Sequence, residues 1–134
     1  MSARTRRSLW RSLAPLALMV VIFVLSSIPG STGVAWWEPT AHNIGHVVEY
    51  AALTLLWSWA LAGVVRRPVW VAAAIALAYA CTDEYHQSFV ENRDSTISDV
   101  GLDAVGIALA GFAISRGSSG RPPKSLRASP FAPK

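Results

Sequence analysis

With 134 residues, the chain has room for one domain. Its hydrophobic residues make up 52% of the sequence and lie in long runs, which is typical of a membrane protein and not of a short soluble one. The net charge of +4 does not indicate nucleic-acid binding, because the basic residues lie in short clusters at the ends of apolar runs.

Four apolar segments follow one another along the chain. We predict membrane-spanning helices over residues 13–28, 44–65, 69–89 and 98–115. Spans of roughly 18–22 residues match the hydrocarbon thickness of a bilayer, and the short loops between them favour antiparallel neighbours. The sequence therefore predicts an all-α fold, a four-transmembrane-helix antiparallel bundle that occupies residues 13–115.

The first apolar run also has the basic start of a secretory signal peptide. No A-x-A-like cleavage site follows it, and Trp36 and Trp37 come next. These features favour an uncleaved membrane span.

The charged residues divide between the two ends of the predicted spans. All the acidic residues and histidines lie at one end, and Arg93 is the only basic residue among them. The other basic residues lie in the N-terminal arm 1–12, at Arg66 and Arg67, and in the segment 116–134. Because basic segments stay in the cytoplasm, we expect a multi-pass plasma-membrane protein with both termini cytoplasmic. The segment 116–134 is rich in Ser, Pro and basic residues, which predicts a disordered tail.

Antiparallel packing brings the ionisable residues to one depth near the outer face. Helical spacing gives three stripes: His42, His46 and Glu49; Asp83, His86 and Gln87; Asp99, Asp103 and Gly106. Each stripe should face the bundle interior, because a carboxylate in lipid is costly. Individual residues could have a structural role instead of a functional one: Asp99 and Ser98 could cap a helix, and Glu84 could be solvated. The whole set exceeds what capping requires, which favours a functional site.

Several strings in this region resemble those of the VanZ-like family. They are D-E-Y-H-Q-S-F-V-x-N-R over 83–93, S-x-x-x-D-V-x-x-D-x-x-G over 95–106, H-x-x-E-Y over 46–50 and S-S-x-P over 26–29. The resemblance extends over residues 13–111. It departs from the family where an Asp-Lys pair is replaced by His42 and Asn43, and where a Pro-Gly pair is replaced by Glu91 and Asn92.

The resemblance implies a small multi-span membrane protein. The founding member of the family is associated with teicoplanin resistance, and no single reaction is assigned to the family as a whole. A distant relationship to membrane enzymes that process lipid head groups, such as phosphatidylserine synthases, has been suggested.

The favoured function is an enzyme, a transferase or hydrolase acting on phosphate-containing lipid head groups at the outer face. Arg93 would bind an anion with its planar guanidinium, and His46 and His86 would transfer protons, because imidazole titrates near neutral pH. The predicted catalytic residues are His46, Glu49, Asp83, Glu84, His86, Asp99 and Asp103. The predicted ligand-binding residues are Arg93, Gln87 and Tyr50.

Two other functions remain open at this stage. One is a non-catalytic protein that binds a lipid-linked or glycopeptide ligand, with antibiotic resistance as its role. The other is a proton or ion pathway, which is disfavoured because the inner halves of spans two to four hold no ionisable residue. We expect the partners to be membrane lipids or lipid-linked envelope precursors.

The sequence identifies no cofactor. A divalent metal is compatible with the mixture of His, Asp and Glu but is not favoured. Apart from His42 and His46, no pair has the tight spacing of metal ligands on one helix.

Overall fold

The computed structural model describes residues 3–30, 38–93 and 96–119, which form four helices. These are α1 (Ala3–Ser26), α2 (Glu38–Leu61), α3 (Pro68–Gln87) and α4 (Ile97–Ser119). Extended structure in the described ranges is limited to one isolated bridge between Ala62 and Val65. The predicted all-α fold with four helices is confirmed.

The helices extend beyond the apolar segments that define the predicted spans. Both α1 and α2 begin several residues early, so α1 includes most of the arm 1–12. The helix α4 continues to Ser119, so residues 116–119, predicted to be disordered, are helical. The apolar run of a span ends at the membrane surface, whereas the backbone hydrogen bonds of its helix can continue into water, so the helix can be longer than the run. The remainder of the predicted tail and Trp36 and Trp37 lie outside the described residues.

Contacts between side chains fix the direction of the helices. Tyr79 Oη donates a hydrogen bond of 2.6 Å to the Met19 carbonyl, and Ser26 Oγ donates one of 2.7 Å to Asp83 Oδ1. Thus α1 and α3 run in the same direction, and consecutive helices are antiparallel. Pro68 begins α3, where the missing N–H of proline costs no helical hydrogen bond.

The outer surface of the bundle is apolar. Its core comprises Ile22, Tyr50, Leu53, Ala76, Ala80 and Ile107, whereas large side chains such as Phe23, Trp70 and Leu109 are exposed. Three segments are long and apolar enough to cross a membrane: Leu9–Ser26, Thr40–Leu61 and Ile97–Gly117. The helix α3 is not among them, because its last turns carry the acidic residues and His86. These features identify a membrane-embedded protein.

Gly106 allows α2 and α4 to approach closely. A Cβ atom at Gly106 would lie 2.3 Å from the Val47 carbonyl oxygen and 3.1 Å from the Ala51 backbone nitrogen. Both are backbone atoms that cannot rotate away. The contact is therefore possible only for glycine, as in other closely packed membrane helices.

We predict that Gly106→Ala destabilises the protein by about 1–3 kcal/mol, since the added methyl group forces the two helices apart. Gly101→Ala is the matched control on the same helix, because a Cβ there meets nothing within 4 Å. Thermal unfolding of the detergent-purified variants measures both effects. Equal melting temperatures for the two variants would show that the close approach is not required.

Candidate functional site

Three buried ionisable side chains meet at one end of the bundle. His46 on α2 is 6% exposed, Glu84 on α3 is 6% exposed, and Asp103 on α4 is fully buried. The Nδ1 atom of His46 lies 2.8 Å from Asp103 Oδ1 and 4.0 Å from Glu84 Oε1. We call these residues the three-helix cluster. They are distant in sequence, and the packing of α2, α3 and α4 brings them together.

A small polar cavity of about 190 Å³ opens beside this cluster. His46 is the only member of the cluster in its lining, which also contains the sequence-predicted residues Glu49, Asp83, Gln87 and Arg93. Its other lining residues are Ile22, Leu25, Ser26, Ala41, His42 and Gly45. The predicted α2 stripe of His42, His46 and Glu49 therefore does face one space.

A chain of hydrogen bonds crosses the cavity wall from α1 to the loop after α3. Asp83 accepts from Ser26 Oγ with one carboxylate oxygen (2.7 Å) and from Gln87 Nε2 with the other (2.9 Å). The Oε1 atom of Gln87 accepts from the Arg93 guanidinium at 3.2 Å. Because both oxygens of Asp83 are bonded to neutral donors, Asp83 holds the wall in position.

Arg93 binds the end of α1. Its Nε and Nη2 atoms donate to the carbonyl oxygens of Ile28 (3.2 Å) and Leu25 (2.8 Å). Together with the bond to Gln87, Arg93 makes three described hydrogen bonds, and two of them hold carbonyl oxygens at the end of α1. A guanidinium has five N–H donors, so two are not used in contacts with the described residues and are available to an anion in the cavity.

Three residues predicted for the site lie elsewhere. His86 faces α1, where its Nε2 lies 2.9 Å from Ser27 Oγ and its ring stacks on Phe23 with centroids 4.6 Å apart. Tyr50 is fully buried in the apolar core and does not line the cavity. Asp99 accepts hydrogen bonds from Thr96 N (3.1 Å) and Oγ1 (2.9 Å), which is the geometry of a helix cap.

A second, larger cavity of about 800 Å³ lies between α3 and α4. Its lining is mainly apolar and includes Trp70, Leu77, Ile107 and Phe112. It contains no carboxylate or histidine among its lining residues. We therefore assign the candidate site to the smaller polar cavity.

Comparison with protein families agrees with the membrane architecture. The model of the VanZ/LLP1 family matches residues 3–117 of this chain. The chain belongs to the VanZ/LLP1 family. No curated protein and no solved structure matches it.

In the structure of this VanZ/LLP1 protein, two of the sequence strings noted above contact each other. In S-S-x-P, Ser26 and Ser27 contact Asp83 and His86 of D-E-x-H-Q, so the two strings join α1 to α3. Sequence reasoning missed the serines as site residues, although the resemblance contained them. It placed His42 on the α2 stripe but not among the catalytic or ligand-binding residues, and the His42 ring lies edge-on to His46 with centroids 4.6 Å apart.

We predict that Arg93→Lys lowers the stability of the VanZ/LLP1 protein by about 1–3 kcal/mol, because an ammonium group cannot make all three guanidinium contacts. Arg66→Lys is the control, since Arg66 is exposed on the loop between α2 and α3. Thermal unfolding in detergent gives both values. If Arg93→Lys were as stable as Arg66→Lys, the contacts of Arg93 with α1 would not contribute to the stability of the protein.

Proposed function

We propose that this VanZ/LLP1 membrane protein is an enzyme, a transferase or hydrolase that acts on phosphate-containing lipid head groups at the outer face of the plasma membrane. The observation that carries the proposal is the buried pair of His46 and Asp103, whose facing atoms are 2.8 Å apart, at the edge of a small polar cavity. An imidazole held by a carboxylate is a recurrent reactive group in enzymes.

The His46–Asp103 pair supports two kinds of chemistry. The imidazole can accept a proton from a water or hydroxyl group that attacks phosphorus, and it can return this proton to the alcohol oxygen that leaves as the original P–O bond breaks. Alternatively, the pair can hold a cation that lowers the pKa of the attacking water. In both cases His46 stands between the buried carboxylate and the cavity, so its loss removes the reactive group.

The size of the cavity favours a small ligand group. A volume of about 190 Å³ corresponds to roughly six water molecules. Sites for drug-sized ligands are larger, roughly 300–1,000 Å³. A phosphate group with its first substituents suits this space better than a glycopeptide does, and the fatty-acyl chains of a lipid would remain in the surrounding bilayer.

The charges around the cavity also favour a phosphate group. Arg93 lines the cavity, and two of its N–H donors have no partner among the described residues. Guanidinium groups bind phosphate through paired hydrogen bonds. Glu49 is half-buried at the same cavity and can receive or deliver a proton. Together these residues provide an anion site and an acid–base group within one small space.

A non-catalytic binding protein is the second candidate. The observation in its favour is the hydrogen-bonded wall of Ser26, Asp83, Gln87 and Arg93, which is fixed before any ligand arrives. Such preorganisation lowers the cost of binding. The ligand would be a lipid-linked envelope precursor or a glycopeptide, and antibiotic resistance would follow from its capture.

We predict that both termini of the protein are cytoplasmic, because three basic segments lie at the same ends of the helices. A reporter that is active only outside the cytoplasm should give no signal when fused after Lys134 and a strong signal when fused after Gly33. Reversed signals would put the polar cavity at the inner face and contradict the proposed outer site.

We predict that His46→Gln lowers the rate of head-group turnover by roughly 100-fold or more. His86→Gln should leave the rate within a few fold, because His86 faces α1 and lies outside the cavity. Mass spectrometry of vesicles of phosphatidylglycerol and phosphatidylethanolamine containing each purified variant measures the released head groups. Bound lipid and the melting temperature are followed in the same preparations.

The comparison separates an enzyme from a binding protein. An enzyme loses turnover in His46→Gln while the variant remains folded and retains bound lipid. For a binding protein, the wild type shows no turnover of head groups, and changes in the cavity affect only the amount of bound lipid. Full turnover in folded His46→Gln would contradict the assignment of His46 as the reactive group.

A further inference from the structure

We infer that the three-helix cluster of His46, Glu84 and Asp103 is a binding site for one divalent transition-metal cation, such as Zn²⁺ or Mn²⁺. The inference deepens the proposed function, on which it rests for the identity of the substrate. Metal binding itself can be measured without any substrate.

The distances in the cluster suit a shared ion. One ligand atom from each of the three residues lies within 4.8 Å of the other two. With metal–ligand bonds of roughly 2.1 Å, two ligands of a tetrahedral ion are about 3.4 Å apart. The separations from His46 Nδ1, 2.8 Å to Asp103 and 4.0 Å to Glu84, lie on either side of that value. Small side-chain movements are therefore enough to surround an ion.

Asp103 provides an independent indication of a missing ligand. Its side chain is fully buried on α4, and Oδ2 has no hydrogen-bond partner among the residues that the structure describes. A buried carboxylate oxygen without a partner is destabilising, because it has lost its contacts with water and gained none in return. The other oxygen of the same carboxylate faces His46, so the unpaired oxygen belongs to the cluster itself.

The balance of charge also favours a cation. Two buried carboxylates, from Glu84 and Asp103, lie beside a single imidazole. A protonated imidazole supplies one positive charge, whereas a divalent ion matches both carboxylates. Arg93 does not supply this charge, because its hydrogen bonds within the described residues go to carbonyl oxygens and to Gln87.

The ligand types determine the class of metal. One imidazole with two carboxylates suits Zn²⁺ or Mn²⁺, whereas Mg²⁺ and Ca²⁺ prefer sites made of oxygen alone. Three protein ligands leave a coordination position open, as in catalytic metal sites. His46 also lines the polar cavity, so its imidazole would link an ion on the Nδ1 atom to a phosphate group bound in the cavity.

The test is metal binding by the detergent-purified full-length protein, stripped with a chelator and titrated with Zn²⁺, Mn²⁺ or Mg²⁺. We expect one Zn²⁺ or Mn²⁺ per chain by elemental analysis, with a saturable rise in melting temperature. His46→Gln and Asp103→Asn should each weaken binding by 100-fold or more. Glu84→Gln provides a third variant that tests the site should either of the first two fail to fold.

The matched controls are His86→Gln and Asp99→Asn, which change the same residue types outside the cluster. They should bind the metal with the affinity of the wild type. The inference would be overturned by folded wild-type protein that takes up no stoichiometric Zn²⁺ or Mn²⁺. Equal affinity for Mg²⁺, or equal weakening in the two controls, would overturn it as well.

These outcomes are distinguishable from a failure of the proposed enzyme function. Metal uptake without head-group turnover would support the metal site and contradict the proposed enzyme function. Turnover that depends on His46 in protein free of metal would retain the enzyme and remove the metal site.

Discussion

The close approach of α2 and α4 is the constraint on which the rest of the site depends. Gly106 lies one turn after Asp103, and the backbone that it contacts, at Val47, is adjacent to His46. The absence of a side chain at one position thus brings two ionisable residues from different helices within hydrogen-bonding distance. Both side chains are buried, which strengthens the electrostatic interaction between them.

The helix α1 completes the polar end of the bundle through a different set of interactions. Its last turn is held by side chains from α3 and the following loop, chiefly Asp83 and Arg93. Gly30 continues this attachment, because its backbone N–H donates to the Glu91 carbonyl and a Cβ atom there would overlap the Asn92 carbonyl oxygen. Much of the polarity that resembles a catalytic cluster in the sequence therefore serves to close the cavity.

Sequence spacing identified residues on one helix more reliably than partners on different helices. The α2 stripe of His46 and Glu49 faces the cavity because both residues follow from the period of a single helix. The same reasoning grouped His86 with Asp83 and Gln87, yet only Asp83 and Gln87 line the cavity, while the His86 ring stacks on Phe23 of α1. The spacing of residues along a helix gives the direction in which each side chain leaves the helix axis. It does not give the residues of the other helices that the side chain meets there.

The sequence by itself determined the membrane class, the number of helices, the end of the bundle at which the acidic residues gather, and the family. These properties depend on hydrophobicity, charge and short strings, which are local. Only the tertiary structure separated the cap Asp99 and the core residue Tyr50 from the cavity, and only it joined His46, Glu84 and Asp103. The reason is physical: whether a buried carboxylate caps a helix, holds a wall or faces an imidazole depends on atoms contributed by other helices.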